Sequence, residues 1–142
     1  MTPHFADSFY YLAVLSEDDD AHDRAVALTR EARAPMVTTD WVLTEVGDAM
    51  AGATHRPRFL ALLAALQSDP TVRVIPASRE LFERGVDLFS RRADKEWSLT
   101  DCISFVVMQE QGITEALTGD RISSRRGSRP GSGEWARATV TQ

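Results

Sequence analysis

Apolar runs of strand length alternate along this chain with longer stretches of helical period. Pro3 to Ala6 form the first short run, and a helix opens near Asp7 carrying Phe9, Tyr10, Leu12 and Val14. The charged cluster SEDDD interrupts it, and a second helix over Ala21 to Arg33 places Ala25, Leu28 and Ala32 on one face. APMVTT is a short buried strand after a proline stop. Thr39 or Asp40 can cap the next helix, which carries Trp41, Val42, Glu45 and Val46, and Gly47 and Gly52 weaken its end. RPRFLALLAALQSD opens with Pro57 in a first helical turn and runs apolar. TVRVIPA alternates as a strand, with Val72 and Val74 on one side. Ser78 caps RELFERGVDLFSRR, ADKEW is a loop, Ser98 caps LTDCISFVVMQEQ, Gly112 ends that helix, and EALTGD is the last strand.

Strands alternating with helices of this length predict an α/β fold around a parallel sheet with right-handed crossovers. In such a sheet, strand ends of one polarity converge at one edge, where sites form. Asp7, Glu45, Asp101 and Asp120 each fall where a short apolar run gives way to a helix or loop. Four carboxylates brought together would repel unless a hard cation neutralised them. Mg²⁺ takes oxygen ligands and keeps several waters. The arrangement points to metal-assisted attack on a phosphodiester.

Each acid also has a purely structural role open to it. Asp7 can be an N-cap. Glu45 can be a solvated helix position, although Val42, Val46 and Ala49 place it beside the buried side. Ser98-Leu-Thr-Asp101 is a variant capping box, with Asp for the usual Glu or Gln. Asp120 can start a turn after a strand. What sets these four apart is their shared placement at corresponding ends of strand and helix units. Asp18, Asp19, Asp20, Asp69 and Asp94 lack that placement, and Asp40, the best-placed fifth acid, reads as a helix cap.

Composition narrows the classes. With 142 residues, 43% hydrophobic and 26% charged, the chain suits one soluble domain with its own core. The net charge of −5 supplies no global attraction for nucleic acid, so any such contact must be local. Cys102 is the only cysteine, which excludes an internal disulfide and reads as a small buried hydrophobe. His4, His22 and His55 are scattered and no CxxC or HExxH is present, which argues against zinc. No apolar run reaches the roughly 18 residues that span a membrane, and no basic region precedes the apolar start, so a cytoplasmic location is the default expectation. The composition shifts after Asp120. Residues 121–142 carry five arginines against one glutamate and are rich in Gly, Ser and Pro. That +4 leaves −9 on the first 120 residues. Disorder is the first expectation for this tail, with a phosphate-binding basic arm as the alternative.

The segments FADSFYYLAVL, VTTDWVLTEVGDAM and WSLTDCISFVVMQEQGITEALTGD, spanning residues 5 to 120, resemble the PIN domain, specifically the toxin-type ribonucleases of VapBC toxin–antitoxin pairs. The resemblance implies a three-layer α/β/α domain over residues 1–120 with a central parallel sheet of about four strands. It implies that Asp7, Glu45, Asp101 and Asp120 bind Mg²⁺ or Mn²⁺ and activate water against RNA, with Ser8 and Thr118 as supporting polar groups. It also implies an antitoxin partner that lays an Arg or Lys near the acids, and a homodimer. RPRFLALLAALQ, more apolar than one stripe needs, is the segment with apolar surface to spare for a partner.

The resemblance breaks after Asp120, where DRISSRRGS replaces a DRHFxxAGF-like segment. ISSRRGS can be encoded ATT TCG AGC AGG CGG GGT TCA. One C restored before it opens a frame reading His-Phe-Glu-Gln-Ala-Gly-Phe, the segment that the family pattern calls for. Residues 121–142 are therefore expected to be an atypical tail produced by a single-base deletion after the Arg121 codon. Two other readings stay open at this point. The altered end could make the chain a degenerate, non-catalytic binding module. A phosphotransfer receiver would need a lysine at the end of a late strand, and Lys95, the only lysine, falls in a loop.

Overall fold

The computed structural model describes residues 3–16, 19–32 and 34–117, with the side chains of residues 19, 21 and 28–32 excepted. Thr118, Asp120 and the whole 121–142 tail therefore lie outside the described residues. The elements run β1 (His4–Ala6), α1 (Ser8–Val14), α2 (Asp19–Ala32), β2 (Met36–Thr39), α3 (Asp40–Ala49), α4 (Arg56–Ser68), β3 (Val72–Ile75), α5 (Arg79–Arg91), α6 (Leu99–Gln111) and β4 (Ala116–Leu117). The strands form one parallel sheet in the order β3-β2-β1-β4, and with its helices it makes the α/β/α arrangement expected from the alternation.

β1 is an inner strand, so its short run HFA buries Phe5 and Ala6 fully. β3 is an edge strand, and its alternation is correspondingly looser: Val72, Val74 and Ile75 are half-buried and Arg73 is exposed. α6 is the central helix. Every residue from Asp101 to Met108 is buried, as a helix apolar on all sides should be. Trp97 packs edge-to-face on Phe105 with ring centroids 4.7 Å apart. Gly112 ends α6 in the left-handed conformation, φ 65°, the geometry that a glycine cap accommodates without a Cβ penalty.

α4 differs. Leu66 is its one buried residue, Phe59, Leu62 and Leu63 are half-buried, and Leu60 is 61% exposed. The surplus of apolar positions expected from RPRFLALLAALQ is thus present as exposed surface. Gly47 has a role that its reading as a helix weakener missed. A Cβ there would meet the Phe59 ring at 3.1 Å, so the glycine lets α3 and α4 approach. Among the described residues no helix is long and apolar enough to cross a membrane.

Candidate active site

Parallel pairing brings the carboxyl ends of β1, β2 and β4 to one edge. β1 passes into α1 through Asp7 and β2 passes directly into α3, so both helices begin at that edge. α6 precedes β4 and begins there as well.

Asp7 is buried and caps α1: its Oδ1 accepts the Tyr10 N–H at 3.0 Å. Its own N–H donates to the Leu117 carbonyl at 3.3 Å, which ties the cap to β4. The next residue, Ser8, donates its hydroxyl to Glu45 Oε1 and so joins the first turn of α1 to the middle of α3. Asp101 is 8% exposed and sits in a complete capping box. Its Oδ2 accepts the Ser98 N–H at 3.0 Å, while Ser98 Oγ accepts the Asp101 N–H at 3.0 Å. Capping and placement at the sheet edge are therefore not alternatives for Asp7 and Asp101. The caps are what hold these two carboxylates in place.

The surroundings respond to the charge. Burial, Tyr10 and the nearby Asp7 carboxylate all favour the neutral Tyr11 phenol and push its pKa far above the ordinary value. Burial first, then Asp101, raises the Cys102 thiol to about 11, so it stays protonated and unreactive at neutral pH.

Two expectations need correcting. Asp40 does not cap α3. Thr39 does, its Oγ1 accepting the Val42 N–H at 3.1 Å. Asp40 is the first helical residue, and its Oδ2 accepts the Ala77 N–H at 2.8 Å, pinning the turn between β3 and α5. Ala49, expected to face the core with Val42 and Val46, is exposed, and the C-cap residue Met50 is buried in its place. Thr38 was not foreseen. Its buried hydroxyl donates to the Ala6 carbonyl at 2.9 Å, anchoring β1 one residue before Asp7. The Thr-Thr pair closing β2 was the available signal, since a fully buried strand end otherwise favours apolar side chains.

The structure thus brings Asp7, Glu45 and Asp101 to one edge. Asp120 and Thr118 lie outside the described residues, beyond the end of β4. Among the described residues no group of three or more His, Cys, Asp or Glu side chains closes into a metal site. The donor chemistry is all carboxylate oxygen, which suits a hard divalent cation. The set that the sequence points to is complete only with Asp120.

The cap geometry carries a stability expectation. Asp101→Ala removes the carboxylate half of the capping box, while the backbone N–H of residue 101 still donates to Ser98 Oγ, and should lower stability by about 1 kcal/mol, whereas Asp101→Asn retains an acceptor and should stay within a few tenths of the parent. Thermal melts in EDTA test this. Equal melting temperatures for the Ala variant and the parent would show that the box contributes nothing.

Comparison with known proteins places this edge in context. The sequence model of the PIN domain family matches residues 5–127. Two curated relatives, the 23S rRNA-specific endonuclease VapC20 of Mycobacterium tuberculosis strains CDC 1551 and H37Rv, are each 28% identical over 117 residues, covering 82% of this chain and 88% of theirs. The crystal structure of M. tuberculosis VapC20, described as a sarcin–ricin loop cleaving toxin, superposes with a TM-score of 0.69 at 26% identity, covering 89% of this chain and 98% of that one.

Proposed function

The chain belongs to the PIN domain family, and from that premise we propose that it is a metal-dependent endoribonuclease, the toxin of a type II toxin–antitoxin pair. The observation that supports the reading is the Ser8 bond that ties Glu45 on α3 to the Asp7 turn of α1, at the end of the sheet where α6 also begins with Asp101. The similarity to an rRNA endonuclease over most of both chains supports RNA as the substrate class.

Asp7, Asp101 and Asp120 would hold Mg²⁺ or Mn²⁺, with Glu45 orienting the attacking water or holding a second ion. Such an ion, when bound, lowers the pKa of water and offsets charge that develops on the phosphorane. The chain's own residues do the positioning. The α1 cap directs the Asp7 carboxylate, the capping box directs that of Asp101, and Ser8 fixes the rotamer of Glu45. Thr118, matched by the family resemblance, would help to position a ligand or a metal-bound water. Single-stranded or looped RNA is the fitting substrate, because its bases can be splayed out.

The same reading brings a cognate antitoxin, a homodimer and a cytoplasmic location. The exposed apolar positions of α4 are the candidate dimer surface, and light scattering that finds only monomer at high concentration would count against it. The 121–142 tail is proposed to be an out-of-frame extension, which resequencing across the Arg121 codon checks directly.

Purified protein with Mg²⁺ or Mn²⁺ should cut RNA containing the sarcin–ricin loop of 23S rRNA, and EDTA should abolish cutting. Undiminished cleavage in EDTA would refute the metal mechanism. No cleavage of any RNA with either metal would favour a non-catalytic binding module.

A further inference from the structure

Beside the acidic edge lies a shallow, open cleft lined by Trp41, Ala77, Ser78, Arg79 and Phe82. Building on the ribonuclease reading, we propose that this cleft holds an unpaired RNA base flanking the cut site, stacked against Trp41 and the Arg79–Phe82 pair.

Position is the first argument. The pairing of Phe5 with Val37 continues along the strands to set Asp7 opposite Thr39, and Thr39 is paired with Ile75. Asp7 is therefore two strand spacings, roughly 10 Å, from the end of β3, where Ala77 and Ser78 begin the cleft. Trp41 lies in the first turn of α3 and Phe82 in the first turns of α5, and both side chains are only half-buried. A strand crossing the acids can reach this cleft with a neighbouring nucleotide.

Chemistry is the second. The Arg79 guanidinium lies over the Phe82 ring, 5.3 Å from its centroid, which makes a flat two-layer surface. Aromatic rings and guanidinium planes are the groups on which unpaired bases stack. The charges around the cleft are net negative, so stacking and not phosphate binding is what the cleft can offer. Arg79 is paired with Glu83 at 3.1 Å, Asp40 accepts from Ala77, and Glu80 adds a further negative charge in the first turn of α5. No net positive charge remains to hold a phosphodiester. Stacking needs none, and it tolerates any base.

The test uses the full chain carrying Asp101→Asn with Mg²⁺ present, so that cutting is slow while the acidic edge can still be neutralised, and a fluorescent single-stranded RNA spanning the cleavage site. Trp41→Ala should raise Kd roughly 5- to 100-fold, and Trp41→Phe should restore it to within about twofold, because stacking needs a ring and not an indole. With Asp101 intact and metal present, Trp41→Ala should raise KM while kcat stays near the parent value. Trp41 also packs against the core, so a measurement on the unaltered protein is needed as well. Ultraviolet crosslinking of 5-iodouridine RNA should label Trp41 or Phe82. Crosslinks confined to other residues, or a Kd unchanged in a folded Trp41→Ala, would overturn the proposal and leave the nuclease reading intact. A Trp41→Ala variant whose main defect is a shift in oligomeric state would overturn it in favour of a protein contact. A parent protein that neither binds nor cuts RNA would sink both readings.

Discussion

Asp7→Asn or Asp101→Asn should each lower metal-dependent RNA cleavage by about 100-fold or more, with little change in melting temperature. Altering an outer-shell partner of a metal ligand already costs about 10- to 100-fold, and a carboxylate at the metal itself should cost no less. The substitution removes a negative charge and an anionic ligand while keeping shape and capping ability. Asn caps a helix about as well as Asp, so the Asp7 contact to the Tyr10 N–H and the Asp101 contact to the Ser98 N–H both have a successor. Stability and activity are thereby separated within one side chain. Single-turnover cleavage with Mg²⁺ and with Mn²⁺, alongside thermal melts, reads both. Asn variants that cut at the parent rate would remove these residues from the mechanism. Asn variants that lose activity only because they unfold would leave their catalytic role without support.

The second large effect is on folding, at the packing of α5 on α6. Gly85→Ala should destabilise the protein by about 1–3 kcal/mol, the usual cost of forcing atoms into a packed core. Gly85 is buried in α5, and a Cβ there would lie 2.3 Å from Ile103 Cγ1 and 3.3 Å from the Ile103 backbone on α6. Ile103 is 1% exposed, so its side chain cannot turn out to solvent to relieve the clash. This glycine sets the distance between α5 and α6, the most extensively packed helix pair in the fold. Across a double-mutant cycle with Ile103→Ala, the Gly85→Ala penalty should shrink, because the atom that clashes is gone. Urea denaturation provides the four stabilities. An unchanged penalty in the Ile103→Ala background would mean that α5 and α6 do not meet in this way.

The two glycines show where one-dimensional reading stops. Gly47 and Gly85 both sit inside helices, where propensity counts them only as a cost. Their use appears when a second helix arrives: Phe59 over Gly47 and Ile103 over Gly85. Nothing in the local sequence records which ring or side chain will come to rest there. Asp40 is a similar case. As a residue following a strand it is a good cap candidate, yet Thr39 caps and Asp40 reaches Ala77, its partner lying 37 positions further on.

The amino-acid order by itself determined the alternation of strands and helices, the caps at Ser78 and Ser98 and the stop at Gly112, and it singled out Asp7, Asp101 and Asp120 with Glu45, which the structure sets in the middle of α3 and not at its end. These depend on side-chain period and on hydrogen bonds to groups within three or four residues, which are local and therefore legible. The PIN resemblance over residues 5 to 120, borne out by the family match over residues 5–127, followed from the same local patterns. The tertiary structure alone decided the strand order β3-β2-β1-β4, the bond from Ser8 to Glu45, the Thr38 anchor on Ala6, and the cleft between Trp41 and Phe82. Each of these joins residues more than 30 positions apart. Which distant segments pair is set by the shared burial of whole faces, an energy that belongs to the folded chain and to no single segment of it.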